Sequence, residues 1–380
     1  MKKVIVLGAS GSIGQQTIAI IRENPNDFVL VGVSVGYNSV CLKEMISEFP
    51  SIEVAYSLNE IDLQIKTFYG KDGIIQLLDS VPYDICINAL VGEVGFLPSL
   101  KVLEDSHLLC LANKESLVIG GFLLNEMVKN GKGKIIPIDS EHCGVLKALS
   151  GRNSNSIKKV ILTTSGGALR KVLHRDLRHI TPGMALAHPT WNMGNKITID
   201  SATMMNKVFE VLEAYYLFNV APKNIEVVLH PQSRVHALIQ LSDNTLIAEI
   251  SEPDMKNSIR YALFGENYIS NKSIEPLNIL SKFEFSKVLL HRYPLLKIAY
   301  RILNENLLLG AVINTANDIL VSKFLEGEID LLMHEKIILA TMEFFANELK
   351  AREFHKSVAT VLFLVQETRS YLRRVWQIGD

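Results

Sequence analysis

Cysteine is scarce in this chain. There are four in 380 residues, at Cys41, Cys86, Cys110 and Cys143, widely separated and with no C-x-x-C among them. That spacing argues against a disulfide framework and predicts small buried side chains in a reducing compartment. Net charge is lacking as well. Lys and Arg total 39 against 40 Asp and Glu, so no global field exists to hold nucleic acid or an anionic membrane surface, and neither is expected as a partner. Any phosphate-bearing ligand must therefore be held by a local site. Long apolar runs are also missing. Residues 307–313 form one of the longest, far short of the roughly 20 residues that span a bilayer. No signal-peptide core or Arg/Ser-rich transit segment precedes the apolar run at 4–7, so a cytoplasmic protein is expected.

What is present is globular material. Hydrophobic residues make up 48% and charged residues 21%, a balance with no bias toward disorder. The length exceeds one ordinary core and predicts two or three domains. Short β-branched runs at 4–7, 29–35, 54–56, 85–89, 108–111 and 135–138 alternate with helical stretches at 13–24, 40–48, 73–78, 97–103 and 115–130. That rhythm predicts a doubly wound parallel sheet. From about residue 158 the pattern changes. Strands are expected at 160–164, 226–230, 235–241 and 245–251, with Asp243-Asn244 as a hairpin turn, and a helix at 202–218 capped by Asp200 or Ser201. The last hundred residues read as helices at 295–305, 312–325, 332–349 and 358–375, a bundle. The fold class is α/β: an N-terminal Rossmann-like parallel sheet, a central α/β domain with a mixed sheet, and a C-terminal helical bundle.

Gly8-Ala9-Ser10-Gly11-Ser12-Ile13-Gly14 follows a strand and opens a helix. Glycines there permit a tight turn and close approach to a pyrophosphate at the helix N-terminus, so the loop points to a dinucleotide. The second strand ends Val35-Gly36-Tyr37-Asn38 without the carboxylate that would bind an NAD ribose. An acid would repel a 2′-phosphate, and its absence favours NADPH. No Arg or Lys stands at that turn either; Lys43 is the nearest cation.

Asp139-Ser140-Glu141-His142 follows the strand at 135–138. If the extended geometry persists, Asp139 and Glu141 point the same way. Such a pair suits a hard divalent cation, but these residues alone favour a solvated loop with one capping acid. On the helix at 202–218, Thr203, Asn206, Lys207, Glu210 and Glu213 share one face. They form either a wet stripe or a third metal carboxylate, Glu210, with substrate ligands beside it. Thr163-Thr164-Ser165-Gly166-Gly167 has the ingredients of an anion nest or of a plain turn. His188-Pro189-Thr190-Trp191-Asn192-Met193-Gly194 suits a lid that closes apolar surface over a ligand.

These segments, with Leu111-Ala112-Asn113-Lys114-Glu115-Ser116, Asp200-Ser201-Ala202-Thr203-Met204-Met205-Asn206-Lys207 and His230-Pro231-Gln232-Ser233, occur in one order. The series resembles the 1-deoxy-D-xylulose 5-phosphate reductoisomerases over essentially the whole chain up to the helical tail. The resemblance implies NADPH-dependent, divalent-metal-dependent (Mg²⁺, Mn²⁺ or Co²⁺) rearrangement and reduction of 1-deoxy-D-xylulose 5-phosphate to 2-C-methyl-D-erythritol 4-phosphate. That reaction is the committed step of non-mevalonate isoprenoid synthesis. A homodimer is also implied.

It further implies an NADPH-binding domain at 1–150, a catalytic domain at 151–285 with a lid at about 183–195, and a helical domain at 286–380. By the same resemblance Asp139, Glu141 and Glu210 hold the metal, and Lys114 lies near it as a further catalytic residue. Lys114, Ser140, Glu141, Ser165, His188, Trp191, Ser201, Asn206, Lys207 and Glu210 contact the sugar phosphate. Ser10, Gly11, Ser12, Ile13, Gly36, Tyr37, Asn38, Asn113, Glu115 and Gly194 contact NADPH. Three departures stand out: Val208 where the family has Gly, Asn314-Thr315-Ala316-Asn317-Asp318 for Asn-Ala-Ala-Asn-Glu, and Tyr37 where a basic residue is common.

Overall fold

Residues Lys2–Leu7 form β1, whose last four side chains are fully buried, as befits a central parallel strand covered on both faces. The computed structural model describes residues 1–152, 156–267 and 282–379. From β1 the chain runs through α1 (Ser12–Glu23), β2 (Phe28–Ser34), α2 (Ser39–Glu48), β3 (Val54–Tyr56), β4 (Lys66–Phe68), α3 (Gly73–Ser80) and β5 (Ile85–Asn88). It continues through α4 (Phe96–Glu104), β6 (Leu108–Leu111), α5 (Lys114–Lys129), β7 (Lys134–Pro137) and α6 (Ser140–Ala148). The strands form one parallel sheet in the order β4-β3-β2-β1-β5-β6-β7. The chain moves outward from β1 in one direction and then restarts at β5 on its other side. Sheets of this kind bind ligands at that switch point, beyond the carboxyl ends of the strands.

The second sheet begins with β8 (Ile157–Thr164). After it come α7 (Pro182–Leu186), α8 (Asn195–Thr203), α9 (Met205–Phe218), β9 (Ile225–Leu229), β10 (Val235–Leu241) and β11 (Leu246–Ile250). Then follow α10 (Met255–Phe264), β12 (Ser286–Lys287), α11 (Lys297–Glu305), α12 (Leu309–Leu325), α13 (Leu331–Ala351) and α14 (Val358–Tyr371). Strand order is β11-β10-β8-β9-β12, with β8 and β9 parallel and the other pairs antiparallel. This is the mixed sheet expected. The β10–β11 hairpin turns at Asp243-Asn244: Asn244 takes φ 68°, and the Asp243 carboxylate accepts the Thr245 N–H at 2.8 Å.

One compact unit gathers Met1–Ser116, Leu124–Cys143 and the segment carrying α10; the other gathers Leu117–Leu123, Gly144–Pro253 and the C-terminal helices. Ile259, Ala262 and Leu263 of α10 join the core that includes Val4, Ile18, Val33 and Leu42. Within the second unit α12, α13 and α14 pack together, while α11 lies along α9. Helix approach there is close: a Cβ on Gly121 would run into the Tyr216 ring, and one on Gly310 into the Val118 carbonyl oxygen. None of the four cysteines forms a disulfide, and three of them are buried. Among the described residues no helix is long and apolar enough to cross a membrane.

Three local expectations are corrected. The helix expected at 202–218 is broken at Met204, which takes a left-handed φ of 72° between α8 and α9. Asp200 and Ser201 are therefore not caps; they lie inside α8. The extended geometry does not persist from β7 to Glu141. Asp139 instead caps α6, its carboxylate accepting the Glu141 N–H at 3.2 Å and its carbonyl the Cys143 N–H. An Asp followed by helix-compatible residues ends the strand more favourably than a further extended pair would.

Candidate functional site

In the first unit the Gly8–Gly14 loop turns at the carboxyl end of β1. Gly8 takes φ 78°, and a Cβ there would meet the Ala89 carbonyl oxygen at 2.5 Å. A Cβ on Gly14 would collide with the Gly8 carbonyl oxygen and the Ala9 backbone. Gly11 caps α1 with no side chain, so a first turn of N–H groups faces outward for an anion. The loop is tied to β2 by Gly8 N–H to Ser34 Oγ at 2.9 Å and Ala9 N–H to the Ser34 carbonyl at 2.8 Å. Ser10, Gly11, Ser12 and Ile13 thus lie on the turn, with Gly36, Tyr37 and Asn38 immediately after the neighbouring strand. Tyr37 is 74% exposed. Asn38 caps α2, its Oδ1 accepting the Cys41 N–H at 3.1 Å.

Asn113 is buried and committed. It caps α5 through the Ser116 N–H, and its amide donates to the Leu90 and Gly92 carbonyls, both at 2.9 Å, and to Glu115. This side chain shapes the loop after β5. Beside it, the first residue of α5, Lys114, extends its ammonium to Asp139 Oδ2 at 2.7 Å. Asp139 Oδ1 pairs with His142 Nδ1 at 2.9 Å. Burial alone would raise the Asp139 pKa. The Lys114 ammonium and the His142 ring outweigh it and hold the carboxyl well below the usual carboxylate range. Glu141 lies in the first turn of α6, joined to the Ser140 hydroxyl. The structure therefore brings Lys114, Asp139, Ser140 and Glu141 together at the end of β7.

In the second unit β8 ends in Ser165-Gly166-Gly167, with φ of 81° and 65° at the two glycines. A Cβ on Gly167 would stand 2.8 Å from the Ser201 carbonyl oxygen, so the loop lies directly on the backbone of α8. Ser165 Oγ is 3.2 Å from His188 Nε2. His188 Nδ1 accepts the N–H groups of Thr190 and Trp191 at 3.2 and 3.0 Å. That fixes the proton on Nε2, which donates toward Ser165. Burial, with Arg170 nearby, lowers the His188 pKa, so the ring is a neutral donor. The Trp191 ring stands beside that of His236, tilted by 55° with centroids 6.0 Å apart. The proposed lid holds a short helix, α7, capped by Thr181, and ends at Gly194, which caps α8.

The polar face of α9 is not wet. Lys207, Glu210 and Glu213 are each at most 2% exposed. Lys207 Nζ donates to the Thr163 carbonyl at 2.6 Å and pairs with Glu210, which also accepts from Asn206. A buried glutamate is costly unless cations or donors surround it, so this is a prepared charge cluster. The carboxylate oxygens of Asp139 and Glu141 are of the kind that suits a hard divalent cation, and Asp139 is already ionised. The N-terminus of α1, capped by no side chain, suits a pyrophosphate. Sequence reasoning gave no role to His142, Asn317 or His334. For His142 the signal was its place in the Asp139–His142 run; for Asn317, its place in the departing 314–318 segment.

Comparison with known proteins agrees along the chain. Residues 4–121 match the family profile for 1-deoxy-D-xylulose 5-phosphate reductoisomerase. Residues 135–218 match that for its C-terminal domain, and residues 250–371 match a further DXP reductoisomerase C-terminal domain. The 1-deoxy-D-xylulose 5-phosphate reductoisomerase of Listeria monocytogenes serovar 1/2a is 39% identical over 98% of this chain and 99% of its own length. That of Geobacillus kaustophilus is 40% identical over 90% and 92%. A crystal structure of DOX-P reductoisomerase with NADPH, fosmidomycin and magnesium superposes with a TM-score of 0.92 at 29% identity, covering both chains fully. The Zymomonas mobilis enzyme with NADPH gives 0.86 at 27% identity over 97% of each.

Proposed function

The chain belongs to the 1-deoxy-D-xylulose 5-phosphate reductoisomerase family, and from that membership we propose how its own residues divide the family's work. The reaction is the NADPH- and divalent-cation-dependent conversion of 1-deoxy-D-xylulose 5-phosphate to 2-C-methyl-D-erythritol 4-phosphate. A carbon–carbon bond migrates within a vicinal hydroxyketone to give an aldehyde, and hydride from NADPH reduces it.

Asp139, Glu141 and Glu210 are the carboxylates that hold the cation, with Mg²⁺, Mn²⁺ or Co²⁺ as the ions that suit them. When bound, the cation supplies Lewis acidity toward the substrate's carbonyl and neighbouring hydroxyl oxygens. Lys114 keeps Asp139 ionised inside a buried setting and adds positive charge beside the reacting oxygens. Ser140 orients Glu141. Ser165, His188, Ser201, Asn206 and Lys207 take the phosphate end. His188 serves as a neutral N–H donor and Lys207 as the cation, in the manner of a local anion site in a chain without net charge. Trp191 and the loop at about 183–195 close over the substrate and exclude water.

Ser10 to Ile13 cradle the pyrophosphate of NADPH, and Gly36, Tyr37 and Asn38 flank its adenosine end. Asn113, Glu115 and Gly194 complete the cofactor's surroundings. The functional divisions are 1–150 for the cofactor, 151–285 for catalysis and 286–380 for the helical region. The protein acts as a homodimer in the cytoplasm. The exposed Leu246 and Ile250 on edge strand β11 support the dimer, because an open apolar edge invites a second copy.

The observation that carries the reading is the buried Lys114–Asp139 pair, a carboxylate kept charged where burial opposes it. Phosphorus NMR of the product provides the test. A new phosphomonoester should form in equal amount to the NADPH consumed, and only when a divalent cation is present. Cofactor-independent isomerisation would contradict it.

A further inference from the structure

Asp200 lies within α8, one residue before Ser201, and is 2% exposed. Its two oxygens are separately engaged. Oδ2 accepts from Lys196 at 2.8 Å, one turn earlier on the same helix. Oδ1 accepts from Asn317 Nδ2 of α12 at 2.7 Å. Lys196 also reaches Asp318 Oδ1 at 3.2 Å. With its amide nitrogen turned to Asp200, Asn317 must present Oδ1 to its other neighbour, His334 Nε2 of α13, at 3.1 Å. A carbonyl oxygen accepts only, so His334 carries its proton on Nε2. Asn317 and His334 are both fully buried, and His334 Nδ1 has no hydrogen-bond partner among the described residues. The amide of Asn317 is therefore held in one orientation, from α13 through α12 to α8.

Buried polar chains of this kind are no cheaper than apolar packing, and they hold their members in one geometry. This chain holds the segment that leads into Ser201 and then, past the left-handed Met204, into Asn206 and Lys207. The Ser201 carbonyl is also the surface on which Gly167 rests. A shift of α8 along its axis would thus move Ser201 and displace the Ser165 loop together.

We infer that Asn317 is a positioning residue for substrate binding: it fixes Asp200, and through it the register of α8 that presents Ser201 to the phosphate, with His334 setting the orientation of the Asn317 amide. The inference rests on the assignment of Ser201 to the substrate phosphate given above. It gives the C-terminal helices a part in binding although they supply no ligand.

The test uses full-length, metal- and NADPH-loaded enzyme with 1-deoxy-D-xylulose 5-phosphate. Asn317→Asp sets two carboxylates against each other, and Asn317→Ser removes the donor with less risk to folding. Both should raise KM at least about tenfold while kcat stays within about threefold. The dissociation constant for NADPH, measured by fluorescence, should not move. The exchanged pair Asp200→Asn/Asn317→Asp restores a donor facing an acceptor and should return KM to within about threefold of wild type. An unchanged KM in Asn317→Ser, an exchanged pair that fails to recover, or a parallel loss of NADPH affinity would each overturn the inference. Ser201→Ala separates the two levels. If it leaves KM unchanged, the phosphate assignment falls and the inference with it. If it raises KM while Asn317→Ser does not, only the inference falls.

Discussion

The Lys114 ammonium stands 2.7 Å from the Asp139 carboxylate, with both side chains less than a tenth exposed. Neither charge is tolerable there alone, and the pair is complete only because β7 stops at Pro137 and lets Asp139 cap α6 while α5 starts at Lys114. The geometry thus supplies an ionised oxygen donor before any metal arrives.

Removing Lys114 leaves Asp139 buried without its ammonium partner, held by the His142 ring. Lys114→Met is expected to cost about 3–5 kcal/mol of stability and to lower kcat/KM by at least about a hundredfold. Urea unfolding and steady-state kinetics check both. Asp139→Asn leaves the Lys114 ammonium buried without its carboxylate, so it should be comparable in stability and as damaging in activity.

His334 provides the pH dependence. Burial pushes its pKa from 6.5 down to about 4, so the folded state holds the neutral ring while the unfolded chain binds a proton more readily. Stability contributed by this residue is therefore full above pH 6.5 and is lost as the pH falls from 6.5 toward 4. The loss amounts to about 3 kcal/mol across that window. His334→Gln should flatten the difference in urea midpoint between pH 7 and pH 5.

In the proposed cofactor site the exposed Tyr37 flanks the adenosine end, where a cation would face a 2′-phosphate. Tyr37→Arg should raise the preference for NADPH over NADH by about tenfold, read as the ratio of dissociation constants in a fluorescence titration. Gly14→Ala has no room for its methyl group and should weaken both cofactors by at least about a hundredfold.

Edge strand β11 exposes Leu246 and Ile250. In the proposed dimer, replacing Ile250 with Lys should shift the protein to a monomer in light scattering at micromolar concentration, since a charge on an open edge opposes pairing.

Much of the fold was legible because its signals are local. Val4, Ile5, Val6 and Leu7 form a continuous apolar run, and Asp243-Asn244 is a turn by its own chemistry. Strand β4 was missed because Lys66-Thr67-Phe68 carries one large apolar residue, unlike the equally short Val54-Ala55-Tyr56. Helix α10 was missed because Ile259, Ala262 and Leu263 give only one turn of periodicity. The break at Met204 left no trace, since a methionine with positive φ is held there by its surroundings; it is buried, and its sulfur accepts from Thr164 Oγ1. The polar face of α9 shows the limit most clearly. Lys207, Glu210 and Glu213 have the same spacing whether they meet water or a charge cluster, and only their burial in the folded chain distinguishes the two. Asn317 and His334 lie far from the motifs in sequence, and their link to Asp200 depends on tertiary packing.

The most direct measurement follows NADPH absorbance with 1-deoxy-D-xylulose 5-phosphate, in wild type and Glu210→Gln, with EDTA and after adding back Mg²⁺. Wild-type oxidation should vanish with EDTA and return with Mg²⁺, while the folded variant stays at least about a thousandfold slower at any Mg²⁺ concentration. Oxidation that persists in EDTA, or a Glu210→Gln enzyme with wild-type rate and metal dependence, would contradict the account.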